Sequence, residues 1–359
     1  STHTAMSGNR FASLLDVGQW PESAVDAALQ QWWHNLPQPR PRHVAIAFSG
    51  GADSTALMLG AVRLCRPTAT PSLSADRPHT ITALHVHHGL QACADRFAEH
   101  CAALCAALQQ PAAALPCMLR HVPLHIDIQL QAGDSIEARA REGRYRALAQ
   151  AAHTAGANMV LLGQHADDQA ESVLLALSRG AGVAGLAGMP AHIQRHGMCF
   201  ARPLLALEPG TLKNWLNTHQ VPWIEDPSNT DQRFTRNRLR HTVLPVLEQH
   251  LPGFRASLVR SARLAAQADT LLQELAELDL QQVGQPPHIA RLQTLSPQRQ
   301  ANALRPWLKT EYGAIGSESQ ILALLQVIAA CQTRGHHIHI KVGKGYVVRN
   351  GSVLQWHAQ

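Results

Sequence analysis

A chain of 359 residues is long enough for two or three domains with substantial cores. It has no apolar run of the roughly 18 residues a membrane helix needs, and its start lacks the basic and apolar pattern of a secretory signal, so a cytoplasmic protein with no membrane partner is expected. The net charge of +6 favours a polyanionic partner, and 27 of the 31 basic residues are arginine, which suits bidentate phosphate contact, although coding bias would leave the same skew.

The spacing of Trp32, Trp33 and Leu36 predicts a first helix over Pro21 to Leu36. Next comes a β-favouring run, Val44 to Phe48, then the turn Ser49-Gly50-Gly51-Ala52-Asp53-Ser54, then helical spacing from Ala56 to Leu64. A strand that passes through a glycine turn into a helix presents unpaired N–H groups and a positive dipole end, which is a phosphate site. The turn lacks the spacing of a P-loop, and no lysine occurs before Lys213. Phosphates must therefore be held by backbone N–H groups, by the hydroxyls of Ser49, Ser54 and Thr55, and by a metal. The plainer alternative is that Ser49 or Asp53 only caps the helix.

Downstream, Arg66 to His79 reads as a loop, Thr80 to Val86 as a second strand, Ala94 to Leu108 as a helix and Arg120 to Ile128 as a third strand. Ser135 to Ala155 is a long helix, Met159 to Leu162 a fourth strand and Asp167 to Ser178 another helix. This alternation predicts an α/β fold with a doubly wound, mainly parallel sheet, in which ligands bind beyond the carboxyl ends of the strands. Ser49 to Ser54, His85 to Leu90 and Gly163 to Glu171 would then share one rim. Residues 209 to 219 look helical and 221 to 240 form a mixed charged segment. From about 242 the pattern turns helical, over Leu258 to Val283, Pro297 to Leu308 and Ser319 to Cys331, with short β-like runs at His337 to Val342, Tyr346 to Arg349 and Val353 to Trp356. The expected domains are 1–240, with a helical extension over 1–40, and 241–359. The seven cysteines show no C-x-x-C pair, so neither disulfides nor structural zinc is expected, and Cys101 and Cys105 read as small buried residues.

Ser-Gly-Gly-Ala-Asp-Ser resembles the signature of the PP-loop ATP pyrophosphatase superfamily. That implies cleavage of ATP between its α and β phosphates, with Ser49, Gly50, Gly51, Ala52, Asp53, Ser54 and His85 around the nucleotide and Asp53 orienting Mg2+. Further motifs occur in order: His85-Val86-His87-His88-Gly89-Leu90; Glu137-Ala138-Arg139-Ala140-Arg141 with Arg144-Tyr145; and Gln164-His165-Ala166-Asp167-Asp168-Gln169-Ala170-Glu171. They continue with Arg179-Gly180-Ala181-Gly182, Arg202-Pro203-Leu204-Leu205, Glu225-Asp226-Pro227-Ser228-Asn229 and Arg236-Asn237-Arg238-Leu239-Arg240. As a set, from about 43 to 245, they resemble the tRNA(Ile)-lysidine synthetase family.

The resemblance implies an ATP-dependent ligase that adenylates the C2 oxygen of the wobble cytidine in tRNA(Ile) with a CAU anticodon, after which the ε-amine of free L-lysine displaces AMP. It makes residues 241–359 a tRNA-binding domain, and a homodimer is the expected assembly. An ammonium substrate needs carboxylates to hold it and a base to deprotonate it, and Asp168 and Glu171 share a helix face. Glu137 and His165 are further candidates for substrate contact. Arg141 is the expected fixed cation near the leaving AMP. Arg144, Arg236 and Arg240 are candidates for RNA or substrate contact, and the run from Arg233 through Phe234 to Arg240 would otherwise be a solvated helix face. A sulfur-transferring relative would need reactive cysteines near the rim, and a small-molecule ligase would not need the basic run.

Overall fold

The computed structural model describes residues 10–67, 76–87, 94–125, 136–226, 235–332 and 336–359. The chain forms two compact units, 1–262 and 263–359.

Unit 1 is built on a six-stranded sheet in the order β3-β2-β1-β4-β6-β5. Its strands are β1 His43–Ala47, β2 Thr80–His87, β3 Met118–His125, β4 Met159–Leu161, β5 His192–Arg195 and β6 Met198–Ala201. All neighbours are parallel except the β5–β6 hairpin. The helices are α1 Ala24–His34, α2 Ala52–Leu64, α3 Ala94–Leu108, α4 Ile136–Ala155, α5 Ala166–Ser178 and α6 Pro209–Thr218. Because β1 lies between β2 and β4, the winding reverses there, and the crevice beyond the ends of β1 and β4 is the place such a sheet offers a ligand.

The hairpin is absent from the sequence expectation. Its strands are short, and its turn residues His196 and Gly197 both have positive φ, +50° and +72°, the geometry of a two-residue hairpin turn. A His-Gly pair advertises that turn less clearly than Asn-Gly would. The charged segment near 240 is also more ordered than expected: Thr235–Arg238 is helical, Leu239–Val243 is a π turn and Leu244–His250 is helical again. Pro245 would clash with the carbonyl four residues back in a regular helix, and the wider turn, with Leu244 N–H bonded to the Leu239 carbonyl, relieves it.

Helix α2 follows the glycine turn and is buried along almost its whole length. The extension before β1 covers it. A Cβ on Gly60 would sit 2.9 Å from Val25 Cγ1 and closer still to Leu29, so glycine lets α1 approach. Ser23 and Asp26 form a capping box at the start of α1. Asp26 also takes a bidentate pair from buried Arg63, Nε to Oδ1 at 2.6 Å and Nη2 to Oδ2 at 3.0 Å, and Arg63 donates to the Val17 carbonyl at 2.7 Å. The guanidinium thus ties α1 and the chain before it to α2.

In unit 2 the helices α8 Pro297–Tyr312 and α9 Glu318–Ala330 pack with an antiparallel sheet β7 His339–Val342, β8 Gly345–Asn350, β9 Val353–Ala358. Helix α7 Phe254–Val283 supplies Leu280 and Val283 to the same core. Its Asp279, fully buried, pairs with Arg299. Among the described residues no helix is long and apolar enough to cross a membrane.

Candidate active site

The turn after β1 is held open by its own hydroxyls. Ser54 Oγ accepts from the Ser49 N–H at 3.2 Å, lies 3.0 Å from Ser49 Oγ, and donates to the Gly51 carbonyl at 3.2 Å. Gly50 has φ +84°, and a Cβ there would meet Cys101 Sγ at 3.0 Å and His100 Cδ2 at 3.3 Å, so no other residue fits. Gly51 is extended and begins α2, which has no side-chain cap, so neither Ser49 nor Asp53 caps it. The first N–H groups of α2, from Ala52 and Asp53, are therefore aimed as an anion site. Thr55 departs from the expectation: it is fully buried, and its hydroxyl does not reach the open side of the turn.

His85 lies beneath the turn. It is buried, and its Nδ1–H donates to the Phe48 carbonyl at 2.9 Å. Burial holds its imidazole below the ordinary pKa, outweighing that hydrogen bond, so the ring stays neutral and props the turn from below. On the other side, the Ile224 N–H donates to the Gly50 carbonyl at 3.0 Å and brings the Glu225-Asp226 motif to the turn. His88, Gly89 and Leu90 of the motif that begins at His85, Pro227 to Asn229 of the motif that begins at Glu225, and Arg233 and Phe234 lie outside the described residues.

The segment after β4 meets the turn across the switch point. Gly163 packs so closely that a Cβ would lie 3.0 Å from the Asp53 carbonyl carbon and 3.1 Å from the Ser54 nitrogen. Two residues on, buried His165 caps α5: its Nδ1 accepts from the Asp167 N–H at 3.3 Å, and its own N–H donates to Asp168 Oδ2 at 3.0 Å. That leaves Nε2 to face Asp53 Oδ2 at 3.3 Å and Asp168 Oδ2 at 3.6 Å. Burial opposes a charged ring, but the Asp53 hydrogen bond and the two carboxylates outweigh it, so the His165 pKa is raised. In the neutral form the cap bond fixes the tautomer, with the proton on Nε2 and directed at Asp53.

Asp168 and Glu171 do share a face, and Arg240 from the π turn occupies it. Arg240 Nη2 donates to Asp168 Oδ1 at 2.7 Å and its Nε to Glu171 Oε1. Glu171 is 1% exposed, and its second oxygen is buried without a hydrogen-bond partner. Burial raises the Glu171 pKa despite the neighbouring guanidinium. Asp167 is turned away toward Arg255, 3.5 Å from its Nε.

A cationic wall completes the site. Arg141 lies 5.9 Å from the Tyr145 ring centre, half-buried, on α4. The Tyr145 hydroxyl accepts from Arg202 Nη2 at 3.1 Å, and Arg202 also bonds Gln164 and donates to the Pro190 carbonyl at 2.6 Å. Burial would raise the phenol pKa, but Arg202 and Arg141 lower it overall. Arg202 and Tyr145 thus link three motifs that are separate in sequence, a role that their motif membership alone does not reveal. Arg144 is exposed, Arg236 is half-buried, and the side chain of Glu137 falls outside the described residues.

The sequence of unit 1 matches the family model of the PP-loop domain over residues 21–247, and residues 288–352 match the model of the TilS substrate binding domain. A tRNA(Ile)-lysidine synthase of Polaromonas naphthalenivorans is 47% identical over 332 residues, 91% of this chain and 93% of the relative. The enzyme of the same name from Pseudomonas fluorescens is 42% identical over 74% of this chain, which spans only 58% of that relative's length. Among solved structures, a U34-tRNA thiolase from Methanococcus maripaludis aligns with a TM-score of 0.52 at 15% identity, over 67% of this chain and 78% of its own, which speaks to the fold alone. With a PP-loop domain on the nucleotide side and a close full-length relative, the chain belongs to the tRNA(Ile)-lysidine synthase family.

Proposed function

We propose that the chain is an AMP-forming ligase that converts cytidine 34 of tRNA(Ile), anticodon CAU, to lysidine. In the first step the C2 oxygen of the base attacks the α-phosphorus of ATP and pyrophosphate leaves. In the second, the ε-amine of free lysine attacks C2, AMP leaves, and the amine proton passes to a carboxylate. The observation that carries this reading is the run of contacts from Asp53 through His165 and Asp168 to Arg240 and Glu171, beside an uncapped helix N-terminus at the sheet's switch point.

Placement supports the residue roles in this reading. Backbone N–H groups of residues 52 and 53 take the phosphates. Asp53 is 38% exposed and His165 engages its Oδ2, so its carboxylate fits Mg2+, which commonly takes one carboxylate and completes its shell with phosphates and water. Among the described residues no cluster of three protein ligands exists to hold a metal without ATP. When bound, Mg2+ would offset the charge of the departing pyrophosphate. Arg141, steadied by Tyr145, faces the charge that develops on AMP. Asp168 and Glu171 receive the lysine ammonium, with Arg240 yielding part of their valence to it. Arg144 and Arg236 meet the RNA. Residues 241–359 serve as the tRNA-binding domain; cytoplasmic location and a homodimer complete the proposal, and sedimentation of the purified chain tests the dimer.

The test is incorporation of labelled lysine into a tRNA(Ile) transcript with ATP and Mg2+, expected to release AMP and pyrophosphate. Release of ADP, or incorporation indifferent to the base at position 34, would overturn it. Asp53→Asn should reduce turnover at least a hundredfold.

A further inference from the structure

Residues 319–359 contain no aspartate or glutamate, while carrying Lys341, Lys344, Arg334, Arg349 and four histidines. Strand alternation sorts the sheet of unit 2 into two faces. Val342, Val347 and Leu354 point into the core, where Ile340 and Trp356 join them. The opposite face carries His339, Lys341, Tyr346 and His357, with Val348 and Gln355 in the neighbouring row: the register sets Lys341 opposite Tyr346 and Tyr346 opposite His357 in one cross-strand row. The His339 ring stacks on Tyr346, with centroids 4.3 Å apart and planes 16° from parallel. Lys341, His339 and His357 are exposed, as is Lys344 in the β7–β8 turn.

An outer sheet face with a flat ring pair, two ammonium groups and no carboxylate suits one kind of partner. A protein surface would be met by mixed charge or apolar area, whereas an RNA segment supplies both a π face to lie on the rings and phosphates for the lysines. The geometry points to the outer face of β7, β8 and β9 as an RNA-contact surface. On it an unstacked base of the substrate lies against Tyr346 and His339, and Lys341 and Lys344 pair with flanking phosphates. The inference rests on the reading that the chain acts on a tRNA, and it adds where and how unit 2 holds it.

The experiment measures binding of the full chain to a tRNA(Ile) transcript by fluorescence anisotropy across a salt series, together with lysine incorporation. Tyr346→Ala should weaken binding about tenfold and Tyr346→Phe should not. Lys341→Gln with Lys344→Gln should lower the slope of log affinity against log salt by about 1.4, the value for two single-strand phosphates. The KM for tRNA should rise while kcat at saturating tRNA and the KM for ATP stay put. The lysine pair is exposed and remote from the core, so it remains informative if Tyr346→Ala fails to fold. Affinity within twofold of the parent and an unchanged slope would overturn the surface even where the parent incorporates lysine. A parent that incorporates no lysine, but loses RNA binding in these variants, would overturn the proposed reaction and leave the surface standing.

Discussion

Gly163→Ala tests whether the two loops at the switch point must touch. The new methyl would lie 3.0 Å from the Asp53 carbonyl carbon and 3.1 Å from both the Asp53 oxygen and the Ser54 nitrogen, all backbone atoms at the start of α2. Ordinary contact needs about 3.5 Å, so the loops must part by roughly 0.4 Å. His165 Nε2 would then move from 3.3 Å toward about 3.7 Å from Asp53 Oδ2, beyond a useful hydrogen bond. Overpacking of this kind costs about 1–3 kcal/mol, a loss of several degrees in Tm. A displacement of 1 Å at a catalytic group costs on the order of a hundredfold, so about tenfold in kcat is expected here. Thermal unfolding and AMP release measured on one preparation read both effects. Gly143→Ala is the control: no atom lies within 4 Å of the added Cβ, the position is inside α4, and the variant should gain up to about 1 kcal/mol. Unchanged kcat and Tm in Gly163→Ala would refute the coupling of the loops.

Three further outcomes are expected. Arg63→Met leaves Asp26, 3% exposed, buried without its partner and should cost about 3–5 kcal/mol in a urea titration; a shift below 1 kcal/mol would refute the role of the pair in fastening the extension. His100, 2% exposed, has its pKa lowered to about 4 by burial and then by Arg10. Its folded-state pKa lies below the unfolded value of 6.5, so the unfolded state binds more protons between the two, and about 3 kcal/mol should be lost as pH falls from 6.5 to 4. His100→Asn should flatten that part of the stability profile, and a profile unchanged by the substitution would count against it. Arg240→Gln removes the cation from Asp168 and buried Glu171 and should cost about 2–4 kcal/mol and reduce lysine incorporation; full stability with full activity would show the ion pairs to be incidental.

Much of this architecture was legible along the chain because it is local. Periodicity located strands β1 to β4 and the long helices to within a few residues, and the glycine turn after β1 stood out in sequence at a position where the structure gives Gly50 φ +84° against Cys101 and His100. Cys101 and Cys105, read as small buried residues, are buried, and burial pushes the Cys105 thiol up to about 12. The β5–β6 hairpin and the π turn were less visible, since one depends on pairing at a sheet edge and the other on a proline acting four residues upstream.

The sequence by itself pointed to the reaction class, because its glycine turn and an ordered set of acidic and basic motifs resemble those of a known family. Only the tertiary structure decided which of those groups face one another. Asp53 meets His165 because parallel strands β1 and β4 end side by side; Arg240 lies on Asp168 and Glu171, some 70 residues earlier, because a π turn aims it there; Arg202 reaches Tyr145 and Gln164 from the end of β6. Each contact joins segments remote in sequence, and charge pairing across such distances is set by strand order and packing, which no local pattern records.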